Sequence, residues 1–134
     1  MTDNCPLKSL EAIHLKVVEA SPDAKIVIDE NGKVIVFNAK AELLFGLSRQ
    51  DVIGRDIEML MPERFREPHK KFRSLFFDDP TTREMGDGRV LRGLRKSGQE
   101  FPIQIKLAPL LVENDGLFAL AVVRRVKEVP TSDA

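Results

Sequence analysis

His69 is the residue with the most chemistry to offer. It lies in Arg66-Glu67-Pro68-His69-Lys70-Lys71-Phe72, with Phe65, Phe72 and Phe76 around it at spacings of four, three and four. On a helix those spacings share one inward stripe. A neutral imidazole in an apolar surround can ligate a metal, the iron of haem included. The plainer role, a partly buried and hydrogen-bonded helix residue, is favoured over that of an axial ligand. Met85 is a second conceivable axial ligand, although a loop methionine more often packs.

Catalysis has little to work with. His14 and His69 are the only histidines, and no serine, cysteine or carboxylate pair is spaced as nucleophile and base. Asp78-Asp79 reads as a solvated helix end. Gly86-Asp87-Gly88 lacks the longer glycine pattern and following helix of a phosphate loop. The chain is therefore expected not to be an enzyme. Lys+Arg and Asp+Glu both number 21, so the formal net charge is zero. Arg92, Arg95, Lys96, Arg124 and Arg125 are dispersed among strands, and neither nucleic acid nor a membrane surface is indicated as a partner. The one cysteine, Cys5, cannot form an internal disulfide, which suits a reducing cytoplasm. No apolar run reaches bilayer-spanning length, and Met1 to Ser9 lack an apolar signal core.

The elements that must position His69 follow from periodicity. The 134 residues suit one domain, and the apolar fraction of 43% is ordinary for a globular one. Leu7, Leu10, Ile13, Val17 and Val18 make one helical stripe, with His14 beside it, and Ser21-Pro22-Asp23 ends that helix. Lys25–Asp29 and Val34–Phe37 flank Asn31-Gly32 and read as a hairpin. Asn38 caps a helix from Ala39 to Phe45 that Gly46 ends. Ser48 and Asp56 are expected to cap further turns, and Pro68 to start a helix reaching about Phe77. Residues 78–88 read as a loop. Strands are expected at Arg89–Lys96, Glu100–Val112 and Leu117–Val126. In the second of these, Phe101, Ile103, Ile105 and Leu107 alternate with Pro102, Gln104 and Lys106, so one face is buried. The result is an α+β fold with a five-stranded antiparallel sheet and short helices on one face. Sheet and helices enclose a space, bordered by Ile103 and Ile105, that side chains or a ligand must fill. Three regions are expected: an N-terminal flanking helix at 1–20, a core at 21–126 and a polar tail at 127–134.

In its ordered pattern the chain resembles the PAS family of sensory domains. The matching pieces are Ser21-Pro22-Asp23-Ala24, Ile28-Asp29-Glu30-Asn31-Gly32, Phe37-Asn38 with Ala41-Glu42-Leu43-Leu44-Phe45-Gly46, Val52-Ile53-Gly54-Arg55, Leu60-Met61-Pro62-Glu63 and Arg95–Ile103. The resemblance covers roughly residues 15–126. It implies a signalling module that binds haem, flavin or a small metabolite, or binds nothing and dimerises. It also implies an effector in a parent protein, such as a histidine kinase or a diguanylate cyclase. Met61–Phe72 resembles the haem-ligating region of oxygen-sensing PAS domains, whose proximal histidine falls at His69. Their distal arginine, which contacts haem propionate or bound oxygen, falls at Arg89. Two positions before it those sensors carry a bulky apolar residue, where this chain has Asp87, a carboxylate unsuited to a haem face. The photochemical PAS types need a core cysteine, and Cys5 lies outside the matching region. The lack of tryptophan weakens a redox-flavin reading.

Leu7, Leu10, Ile13, His14 and Val17 follow a three–four alternation like a short coiled-coil seam. A homodimer contact through this helix is expected. The end, Val123-Arg124-Arg125-Val126, lacks the Asp-(Ile/Val)-Thr sequence that closes many PAS domains. That implies either an excised or engineered fragment or a domain that works alone.

Overall fold

The computed structural model describes residues 6–85 and 89–127, with side chains from Ala12 onward. Cys5, Asp87 and the side chains of Leu7 and Leu10 lie outside the described residues. Helix α1 spans Pro6–Ala20, and strands β1 (Ala24–Ile28) and β2 (Val34–Phe37) follow as an antiparallel hairpin. Its turn differs from the two-residue turn that Asn-Gly predicts. Gly32 N–H donates to the Asp29 carbonyl at 3.0 Å, and Asp29 Oδ1 accepts from the backbone N–H of Asn31 and Lys33, each at 2.9 Å. The Asp29 side chain thus organises a longer turn. Only Gly32, at φ 81°, enters the left-handed region there.

Helix α2 (Ala39–Phe45) starts at Asn38 and ends at Gly46, in the left-handed conformation at φ 70°. Asn38 is buried and fully used. Its Oδ1 accepts from Ala41 N–H at 3.0 Å and from Lys25 N–H at 2.9 Å. Its Nδ2 donates to the carbonyls of Val18 at 2.7 Å and Asp23 at 3.2 Å. One side chain therefore ties α1, β1 and α2 together. Ser48 and Asp56, both expected as caps, make no cap bond. Asp56 instead pairs with Lys33 Nζ at 2.6 Å.

Single 3-10 turns at Arg49–Asp51, Ile57–Leu60 and Glu63–Phe65 lead into α3, Arg66–Asp78. That helix begins two residues before Pro68. Proline is tolerated there because the first N–H groups of a helix have no partner within it. β3 (Arg83–Glu84), β4 (Leu91–Leu94), β5 (Glu100–Val112) and β6 (Gly116–Arg125) complete the chain. The sheet order is β2-β1-β6-β5-β3, with β4 also paired to β5. It has six strands, not the five expected. The extra one, β3, has two exposed residues and pairs with Lys106 and Leu107, so no apolar periodicity announces it. β4 is shorter than the expected Arg89–Lys96, because Arg95 N–H and Gly98 N–H are engaged in a turn with Gln99 and Arg95 carbonyls.

The buried core joins Ile26, Val34, Phe37, Phe45, Phe101 and Val123 across sheet and α2. Phe45 packs edge-on to Phe101, centroids 5.4 Å apart. Among the described residues, no helix is long and apolar enough to cross a membrane.

Candidate functional site

The inner face of the sheet and the middle turns enclose a cavity of about 390 Å³, open to one side. That is within the range of small-ligand pockets. The sheet contributes Ile26, Ile28, Ile103, Ile105, Leu107 and Val123, and β4 with the residues before it contributes Arg89, Val90, Leu91 and Arg92. The helical side contributes Ile57, Leu60, Met61, Phe65, Pro68, His69 and Phe72. Phe65, Phe72 and Val90 line it while remaining exposed, so its entrance is apolar. Of the residues read from sequence as ligand-binding, His69, Arg89, Phe72, Met85, Ile103 and Ile105 converge on this one space. Phe76 does not. It is buried elsewhere, edge-on to Phe77 at 5.6 Å and beneath the Arg83 guanidinium at 5.5 Å.

His69 is 14% exposed at its side chain, and its Nδ1 lies 2.6 Å from Oε2 of Glu58. The same oxygen accepts from Arg73 Nε at 3.0 Å, and Oε1 accepts from a terminal Arg73 nitrogen at 3.3 Å. Glu58 is buried at 2% exposure, yet its charge is matched by Arg73. Burial pushes the His69 imidazole below its ordinary range; Glu58 pulls the other way, and Arg73 adds to the lowering. A largely neutral imidazole beside an ionised carboxylate donates from Nδ1. That leaves the Nε2 lone pair free, which is the state a metal ligand needs. Glu58 was missed in the sequence because it looks like an ordinary helix-start acid.

Ile13, His14 and Val17 lie exposed on α1, Ile13 and Val17 each with more than half of their surface open.

Residues 15–126 match the PAS fold family, and the chain belongs to that family. It is a sensory PAS module, and similarity to sensor proteins accompanies the match. It is 35% identical over 98 residues to the sensor protein FixL of Bradyrhizobium diazoefficiens, covering 72% of this chain and 19% of that protein. It is 30% identical over 114 residues to the oxygen sensor protein DosP of Escherichia coli, covering 85% of this chain and 14% of that one. The chain thus spans less than a fifth of either relative. Among solved structures, the PAS domain of an HTR-like protein from Haloarcula marismortui superposes with a TM-score of 0.78 at 20% identity, covering 92% of this chain and 98% of that one. A PAS domain from Colwellia psychrerythraea gives 0.72 at 25%, covering 87% and 97%.

Proposed function

We propose that this chain is the haem-binding sensory domain of a cytoplasmic signalling protein, with His69 as axial ligand and Arg89 on the distal side. The observation that carries the reading is the Glu58–His69 contact at 2.6 Å, which reserves Nε2 for a ligand while the ring borders an apolar cavity. The donor set fits haem: one imidazole, a wall of Ile103, Ile105, Leu107 and Phe72 for the macrocycle, and Arg89 for an anionic or polar group. Haem would supply the iron centre that reads a gas or redox signal. The protein's part is to hold the imidazole, exclude water with the apolar walls and place the Arg89 charge. FixL and DosP are sensors by name, and DosP an oxygen sensor, which supports the same reading. Both are far longer than this chain. That supports an effector, such as a histidine kinase or diguanylate cyclase, in a parent protein, with the PAS core at 21–126 relaying and not catalysing.

Haemin titrated into the purified protein should give a Soret band that saturates at one equivalent. His69→Ala should remove it while leaving the circular dichroism spectrum intact. A wild-type protein with no Soret band would end this reading.

Relay needs a second element, and the flanking helix 1–20 is proposed as a homodimer contact. Exposed Ile13 and Val17 on α1 support this. A charge placed there cannot be buried, so Ile13→Glu/Val17→Glu should halve the mass seen by light scattering. An unchanged dimer, or a monomeric wild type, would count against it.

A further inference from the structure

We infer that Glu58 is a positioning residue for the axial imidazole: it fixes His69 in the Nδ1–H tautomer and orients its ring, so that Nε2 alone is offered to the cavity. The inference rests on the haem reading only for its second readout. Glu58 sits in the Ile57–Leu60 turn, whose end residues both line the cavity. Its carboxylate meets α3, where His69 and Arg73 stand one helical turn apart. Arg73 holds Glu58 through two nitrogens, one on the oxygen that His69 contacts and one on the other. The guanidinium is itself packed under the β1–β2 turn, close enough that a Cβ on Gly32 would fall 2.4 Å from Arg73 Cζ. The carboxylate is therefore fixed in place as well as charge-matched. An ionised carboxylate only accepts hydrogen bonds, so the proton of a neutral His69 must reside on Nδ1. A carboxylate at that position also makes the imidazole a stronger donor to a bound metal and locks its rotation.

The test uses the full chain labelled with ¹⁵N-histidine, without haem, at a pH above 7.5 where the ring is neutral. Wild-type His69 should show a protonated Nδ1 and a bare Nε2. Glu58→Gln keeps the shape but presents an amide that can donate or accept, and it should shift His69 to a mixture containing the Nε2–H form. In haemin-loaded protein the same substitution should move the iron reduction potential upward, because a less basic imidazole favours the oxidised metal less. An Nε2–H tautomer in the wild type overturns the inference without any variant, as does an unchanged tautomer in a folded Glu58→Gln protein. A missing Soret band with the expected tautomer overturns the haem reading alone.

Discussion

Arg73→Met should lower the stability of the ligand-free protein by about 3–5 kcal/mol, the range for breaking a buried ion pair from one side. Few surface-pair substitutions approach that loss. The difference lies in Glu58, whose side chain is 3% exposed against 14% for Arg73. Water cannot reach the carboxylate to replace the guanidinium, so the variant must leave a charge buried alone or take up a proton. Methionine fills most of the space of the arginine stem, so the loss is electrostatic and not a packing defect. Two consequences separate this account from simple damage. First, Arg73→Met/Glu58→Gln should recover most of the loss, because no buried charge then lacks a partner. Second, the deficit should be smaller at pH 6 than at pH 8. Burial, with a smaller contribution from the Arg73 charge, keeps His69 from protonating; without Arg73, an imidazolium forms more readily and can partner Glu58. Urea denaturation of the three proteins at both pH values measures all of this. A single variant within 1 kcal/mol of wild type would sink the buried-pair account.

The order of the helices and of every strand but β3 was legible because each of these left a local signal. The period-two run from Phe101 to Leu107 in β5 and the Asn38 and Gly46 caps of α2 need only neighbouring residues to be recognised. β3 needs β5: its two exposed residues have no pattern of their own. The phenylalanine stripe around His69 was legible as a helix face but not as a single destination. α3 packs on the Ile57–Leu60 and Glu63–Phe65 turns near its start and leaves much of its surface open. Its face therefore divides, with Phe72 exposed at the cavity entrance and Phe76 buried beneath Arg83. Glu58 was illegible because its partners lie 11 and 15 residues away on another element. Charge-matching across that gap is a property of the fold. A partial cue existed, since His69 and Arg73 at i and i+4 form a donor pair that a buried acid can satisfy, but nothing local selects Glu58 over Glu63 or Glu67.

The second large effect should come from Phe45→Ala, a loss of about 3–5 kcal/mol, the usual range for truncating a buried phenylalanine. Phe45 is 2% exposed, belongs to the core cluster and also lines the cavity. Its ring stands between Phe101, at 5.4 Å and 68°, and Phe37, at 6.1 Å and 40°, so its removal strips both partners of ring contacts as well as apolar burial. Little can collapse into the gap. Gly93 backs the cluster, and a Cβ there would already be 2.9 Å from Phe101 Cζ and 3.2 Å from Phe45 Cε1; the tight fit shows that glycine is present to admit the rings. Phe45→Leu keeps most of the apolar volume and should lose roughly 1–2 kcal/mol, closer to the range for a volume-conserving exchange. The position also bears on ligand binding. The space left by alanine opens onto the existing cavity, so a ligand that fills the cavity should restore part of the stability through mass action on the native state. Thermal unfolding with and without one equivalent of haemin would show it. If haemin raises the midpoint of neither Phe45→Ala nor Glu113→Ala, an exposed control in the turn after β5 and outside the cavity lining, then the ligand does not occupy the space between the sheet and α3, and the cavity is not the sensory pocket.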